Sequence, residues 1–292
     1  MFKYYDWFFE LNRKLTRASS LRDISNTNLQ NAFLLMHHPR NKLVKKQPWK
    51  GYVYTKDGKK LDGLTEPLKR LFYPYHLNAV TGGAKTGGSS RGNRTDKELA
   101  GLINEGKLPI SEDGSFSTYT ERVLAYLHKH NLQPFMAQHL VFDENLNIAT
   151  ELDLVCVYQK FNRPNDKNVV NVQIKTGFDK NYEVTSGHLC SPYVCNSKIT
   201  RIKKSYETTH QLQNLAEHMI VTKNYDDLLL ESVVLVVSEE VTSKYRISDH
   251  IFGVKEDVYE NLKQRLVNDE LELDINNIKT AAAMKKAKNM FY

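Results

Sequence analysis

Four polar residues set in two apolar, β-branched runs are the feature on which chemistry can be built. Glu151 and Asp153 lie in IATELDLVCVY (148–158), and Gln173 and Lys175 lie in VVNVQIKTG (169–177). Residues two apart on a strand project from the same face, so each pair shares one. If the two runs are neighbouring strands, all four side chains converge on one patch of sheet. Half-buried strands rarely carry Asp, Glu and Lys without partners, because desolvating a charge is costly. Such a patch suits phosphodiester hydrolysis. A hard cation, Mg2+ or Mn2+, takes oxygen ligands. Asp153, the side-chain oxygen of Gln173 and the backbone carbonyl of Ile174 can supply three, and Glu151 adds charge from the same face. The ion would lower the pKa of a bound water, and an ammonium at Lys175 would orient that water or stabilise developing charge. The plain alternatives are a strand-end lysine in solvent for Lys175 and a surface carboxylate for Glu151.

The elements that must position these residues follow from periodicity. FMAQHLVFD (135–143), 148–158 and 169–177 read as strands, with ENLN at 144–147 connecting the first two as a hairpin. Before them, Thr118-x-x-Glu121 reads as a capping box followed by Val123, Leu124 and Leu127 at helical spacing. After them, a helix fits roughly 203–221, with Leu212, Leu215, Ala216, Met219 and Ile220 on one stripe. SVVLVVS (232–238) is a continuous apolar run, as expected of a strand buried on both faces. Val254, Val258, Leu262 and Leu266 give another helix, and the basic tail KTAAAMKKAKNMFY a helix or frayed end. The order predicts an α/β domain with a mixed sheet over residues 81–292. Residues 1–80 read as a flanking region of short amphipathic helices and basic, aromatic loops. TGGAKTGGSSRGNRT (81–95), Gly/Ser-rich and basic, reads as a loop; Ala84 before Lys85 excludes a Walker A motif.

ELD followed 19 residues later by QIK resembles the core motif of the PD-(D/E)xK nuclease superfamily. Two further stretches place the resemblance near the RecB-type and lambda-type exonuclease branch, which includes YqaJ-like viral recombinases and the mitochondrial genome-maintenance exonuclease. Arg91-Gly92-x-x-x-Asp96 followed by KELAGLI is similar to the branch's RGxxxH opening, with Asp96 where His is common. THQLQNLAEHM (209–219) is similar to its glutamine motif. The resemblance covers about residues 88–240 and implies a restriction-endonuclease-like αβββαβ core. A helical N-terminal extension and C-terminal helices would flank that core. It also implies metal binding by Asp153 and the Gln173 position, aided by Glu151 and Asp96, with Lys175 as the catalytic lysine. DNA contacts are implied for Arg91 and the glutamine helix. Gln211 and Gln213 lie about 200° apart on that helix, so one of them faces the site. Gln173 departs from the family's acidic ligand, being neutral and weaker. The expectation is a metal-dependent deoxyribonuclease, an exonuclease processing DNA ends in replication, recombination or repair. The alternative is a nuclease-fold DNA-binding protein that has lost cleavage through Gln173.

Bulk properties fit that expectation without selecting it. The 292 residues carry 41 basic and 34 acidic side chains, a net charge of +7, which favours an anionic partner. Lys203 and Lys204, just before the glutamine helix, are candidate phosphate contacts, although a solvated helix start explains them equally well. No apolar run is long enough to span a bilayer, and the N-terminus does not read as a secretory signal. Cys156, Cys190 and Cys195 form no disulfide framework and suit a reducing, intracellular compartment, whether viral, mitochondrial or nuclear in context. His188, Cys190 and Cys195 lack the regular spacing of a zinc site. These residues leave open a homo-oligomer and a replication or recombination partner protein.

Overall fold

The structure is a computed structural model that describes residues 2–24, 27–37, 44–46, 54–73, 83–108, 115–158, 169–178, 182–194, 197–225, 228 and 230–288. Cys195, His38, residues 81–82 of the Gly-rich stretch and much of LVKKQPWKGYVY lie outside the described residues. In chain order the elements begin with α1 (Phe2–Arg17), α2 (Thr27–His37), β1 (Val44–Lys46), β2 (Tyr54–Lys56), β3 (Lys59–Gly63) and α3 (Thr65–Phe72). Then come α4 (Gly83–Glu105), α5 (Thr118–Lys129), β4 (Leu132–Asp143), β5 (Ile148–Tyr158) and β6 (Val169–Thr176). The chain continues with α6 (Tyr206–Asn224), β7 (Leu230–Val237), β8 (Thr242–Arg246), α7 (Asp249–Phe252) and α8 (Lys255–Lys288).

The eight strands form one mixed sheet in the order β1-β2-β3-β5-β6-β7-β8, with β4 paired to β5. β3 runs parallel to β5 and β6 parallel to β7; the other pairs are antiparallel. One edge of β5 is covered along its length by β4. The other edge is divided. β3 pairs with Ile148 and Ala149, and β6 with Leu154–Val157. Between them, residues 150–153 face a fork in the sheet, and Asp153 stands at the fork's apex.

Two apolar layers sandwich the sheet. On one face Leu154, Cys156, Val170, Val172, Ile174, Val233, Leu235 and Val237 pack against α4 and α5. On the other, Val155, Val157 and Val169 pack against Leu212, Leu215 and Ala216 of α6 and against α2, α3 and α8. α1 lies along the edge strand β4, where Asn12 Nδ2 donates to the Phe135 carbonyl (2.8 Å) at a β-bulge between Pro134 and Met136.

The four expected main strands all form. Three expectations are corrected. The Gly-rich stretch is helical from Gly83, as the first part of α4. Glycine disfavours a helix by about 1 kcal/mol per residue. Its downstream turns are anchored by buried Thr95, Leu99, Leu102 and Ile103, and tertiary packing of that kind outweighs propensity. The helix α5 is capped by Ser117, whose side chain accepts the Thr120 N–H, not by a Thr118–Glu121 box. Glu98 of α4 decides this by accepting from the Ser117 N–H, the Ser117 hydroxyl and the Thr120 hydroxyl. Finally, the described part of residues 1–80 is not made of helices and loops alone. It supplies three strands, and Leu11, Leu15, Leu35 and Leu68 share a core with α6. Asp57 and Gly58, both with positive φ (50° and 80°), turn β2 into β3 as an Asp-Gly hairpin. Strands of three residues are too short to show alternation, which is why periodicity missed them. β8 was also missed: its TSKYR is polar, as suits a solvated sheet edge.

Candidate active site

β5 and β6 diverge after the Leu154–Val172 pair, so Asp153 and Gln173 face each other just past the last ladder bond. The Asp153 carboxylate fills the gap: its Oδ2 accepts the backbone N–H of Ile174 at 2.7 Å. N–H and C=O of one strand residue point to the same edge, so the Ile174 carbonyl is aimed at the same fork. Gln138 of β4, with φ of 52°, adds a side-chain bond to the carboxylate. Burial pushes the Asp153 carboxyl above its usual range, against the opposing pull of Lys175, the Ile174 N–H and Gln138.

The fork opens into a cavity of about 730 Å³. Glu151, Asp153, Ile174 and Lys175 form its strand wall. Asp96 and Lys97 reach it from α4, Glu66 and Lys69 from α3, and Tyr206, His210 and Gln213 from α6. Glu151, Asp153 and Lys175 from the strands therefore line one cavity with Asp96 and Gln213, whereas Gln173 is not part of that lining.

Beneath α6 lies a polar network that the sequence reading did not single out. Glu217 is 1% exposed and its Oε1 accepts Nε2 of Gln173 (3.2 Å) and Nε2 of Gln213 (3.0 Å). Its Oε2 accepts Nδ2 of Asn171 (3.1 Å), which also donates to Asn214 Oδ1 (2.9 Å). Burial, then the nearby Asp153 charge, pushes the Glu217 carboxyl up to about 7, and Lys175 opposes the rise. The signal was present in HQLQNLAE: Gln213 and Glu217 are four apart and share a helix face. Gln173 is likewise 1% exposed, and its Oε1 is buried without a hydrogen-bond partner.

Other expected contacts fall elsewhere. Gln211 is 2% exposed and faces away from the fork. Its Oε1 accepts the N–H and hydroxyl of Ser248 (both 2.8 Å) at the start of α7, and its Nε2 donates to Glu207. The 200° separation thus leaves Gln213 at the cavity and makes Gln211 a structural tie. Arg91 packs on the end of β6, its guanidinium 5.7 Å from the Tyr119 ring centroid. It lies so close over Gly177 that an added Cβ would come within 2.6 Å of it. Lys203 lines a separate cavity of about 590 Å³ with Lys198 and Arg201. The Lys204 backbone N–H is bonded to the Gly187 carbonyl.

Among the described residues no group of three or more His, Cys, Asp or Glu side chains gathers as a metal cluster. The donors at the fork nevertheless fit a hard cation. Asp153 and Glu151 are carboxylates on the cavity wall; Gln173, buried and outside that lining, has an unpartnered amide oxygen as a further neutral donor. Among the described residues no helix is long and apolar enough to cross a membrane. No protein-family model matches the sequence, and no curated protein matches it.

Proposed function

We propose that this chain is a Mg2+- or Mn2+-dependent deoxyribonuclease with a restriction-endonuclease-like core, acting on DNA ends in replication, recombination or repair. One observation carries the reading. Asp153 is bound to the backbone between Gln173 and Lys175, at the wall of an open cavity that Glu151 also lines. The succession α5-β4-β5-β6-α6-β7 supports it, being the αβββαβ order the resemblance implies. Asp153, Gln173 and the Ile174 carbonyl would hold the ion, with Glu151 and Asp96 adding charge. The ion would supply a more acidic bound water and offset charge on the phosphate. Lys175 would orient the attacking water, and Gln213 would fix the bound strand from α6. Lys69 of α3 and Lys97 of α4 offer further positive charge to the backbone from the cavity lining.

The second reading, DNA binding without cleavage, is favoured by the amide at Gln173 and by the hydrogen bonds that already satisfy Asp153. Labelled linear DNA incubated with Mg2+ or Mn2+ separates the two. Wild type should release nucleotides, whereas Asp153→Ala and Lys175→Ala should lose at least about 100-fold in rate. Salt-sensitive DNA binding by a wild type that cuts nothing would overturn the nuclease reading and leave the binding protein.

A further inference from the structure

We infer that Glu217 is the positioning carboxylate of the cation site, supplying from α6 the negative charge that Gln173 does not provide on β6. The inference rests on the proposed metal site and extends it to a residue one shell out. Asp153 and Lys175 are oppositely charged neighbours whose charges cancel, so attraction for a divalent ion falls to the other carboxylates, Glu151 and Asp96 in the cavity lining and Glu217 behind Gln173. Glu217 restores that charge where it is needed. It interacts electrostatically with both Asp153 and Lys175, and it holds the Gln173 amide by its N–H.

That hydrogen bond sets the direction of the amide. A side-chain amide with its nitrogen fixed on Glu217 presents its oxygen to the other side, and this Oε1 is the buried atom without a partner. Leaving such an oxygen unpaired costs about 1–3 kcal/mol, a cost that a cation ligated there would relieve. The same Glu217 oxygen accepts from Gln213, which, unlike the buried Gln173, lines the cavity. One carboxylate thus orients two amides, and its charge polarises both toward a ligand. A purely structural strut would not require the charged form, since an amide at this position could accept the same two bonds.

The test reads Mn2+ binding to the full chain by electron paramagnetic resonance, independently of DNA cleavage. Glu217→Gln should weaken Mn2+ binding by about 10- to 100-fold, the usual effect of losing a group behind a ligand. Glu217→Gln is nearly isosteric, and flips of Asn171 and Asn214, each with one unpartnered amide atom, can accommodate it. The double variant Gln173→Glu/Glu217→Gln moves the charge from helix to strand and should bind within several-fold of wild type. If the single variant does not fold, the double variant decides alone. Wild-type Mn2+ affinity in Glu217→Gln, a folded double variant that binds no Mn2+, or a wild type that binds none, would each overturn the inference. Cleavage by wild type with Mn2+ affinity indifferent to Glu217 leaves the nuclease reading standing without it. Glu217-dependent Mn2+ binding without cleavage does the reverse.

Discussion

The two faces of β5 and β6 are built from alternate residues of the same two strands, yet they follow different rules. Toward α4 and α5, Leu154, Cys156, Val170, Val172 and Ile174 make an unbroken apolar layer. Toward α6, Val155, Val157 and Val169 begin the same way. That face then turns polar: Asp153, Asn171, Gln173 and Lys175 meet Gln213, Asn214 and Glu217. Burying such groups costs free energy where they stay unpaired, as Gln173 Oε1, Asn171 Oδ1 and Asn214 Nδ2 do, and an apolar face of the same shape would often be at least as stable. The contrast teaches where the molecule gives up stability for a site, and it makes the two faces respond oppositely to substitution.

The largest expected effect is on the apolar face. Leu154→Ala should destabilise by about 2–5 kcal/mol in denaturant unfolding, through the cavity it leaves, while the folded variant keeps Mn2+ binding and cleavage. A loss of Mn2+ binding in folded Leu154→Ala would break the division between the faces.

On the polar face the effect should depend on pH. The Glu217 carboxyl, raised from 4.5 to about 7, holds its proton more tightly folded than unfolded. The Glu217 contribution to stability in the presence of a chelator should be complete below about pH 4.5, fall as pH rises toward 7 and level off above it, while buried His139, pushed down to about 4, contributes the opposite trend between about pH 4 and 6.5. The fall should be on the order of 3 kcal/mol at roughly 1.4 kcal/mol per pH unit. Asp153, also raised, acts in the same sense. The stability difference between wild type and Glu217→Gln should carry this fall, measured by urea unfolding of both from pH 4 to 8; a difference that does not change with pH would locate the titration elsewhere.

At the end of β6, Gly177 has φ of 77° beneath the Arg91 guanidinium. Gly177→Ala should lose about 2 kcal/mol, from left-handed strain and displacement of Arg91. The smallest effect sharpens the contrast along α6. Gln211→Ala should lose about 1 kcal/mol by unpairing Ser248 and leave cleavage unchanged. Gln213→Ala should leave the melting temperature nearly unchanged and slow cleavage. An unchanged rate in Gln213→Ala would remove that residue from the site.

Much of the site was legible because strand geometry has a fixed period. Glu151 with Asp153, and Gln173 with Lys175, share faces whatever surrounds them, and apolar runs marked β5, β6 and β7. The helix period correctly required that Gln211 and Gln213 part company. It could not say which faces the fork, because either edge of the apolar stripe can be turned toward a neighbour. The strands β1 to β3 stayed hidden because short polar segments gain their stability from the sheet they join.

The sequence by itself determined the mixed α/β class, the main strands and the pairing of polar residues on common faces, since these depend on local period and burial preference. Only the tertiary structure decided that β3 and β6 divide the edge of β5 and open a fork at Asp153. It alone brought Glu217 from 44 residues away against Gln173. Contacts of that range are fixed by how helices pack on a sheet, and no local pattern in the chain encodes them.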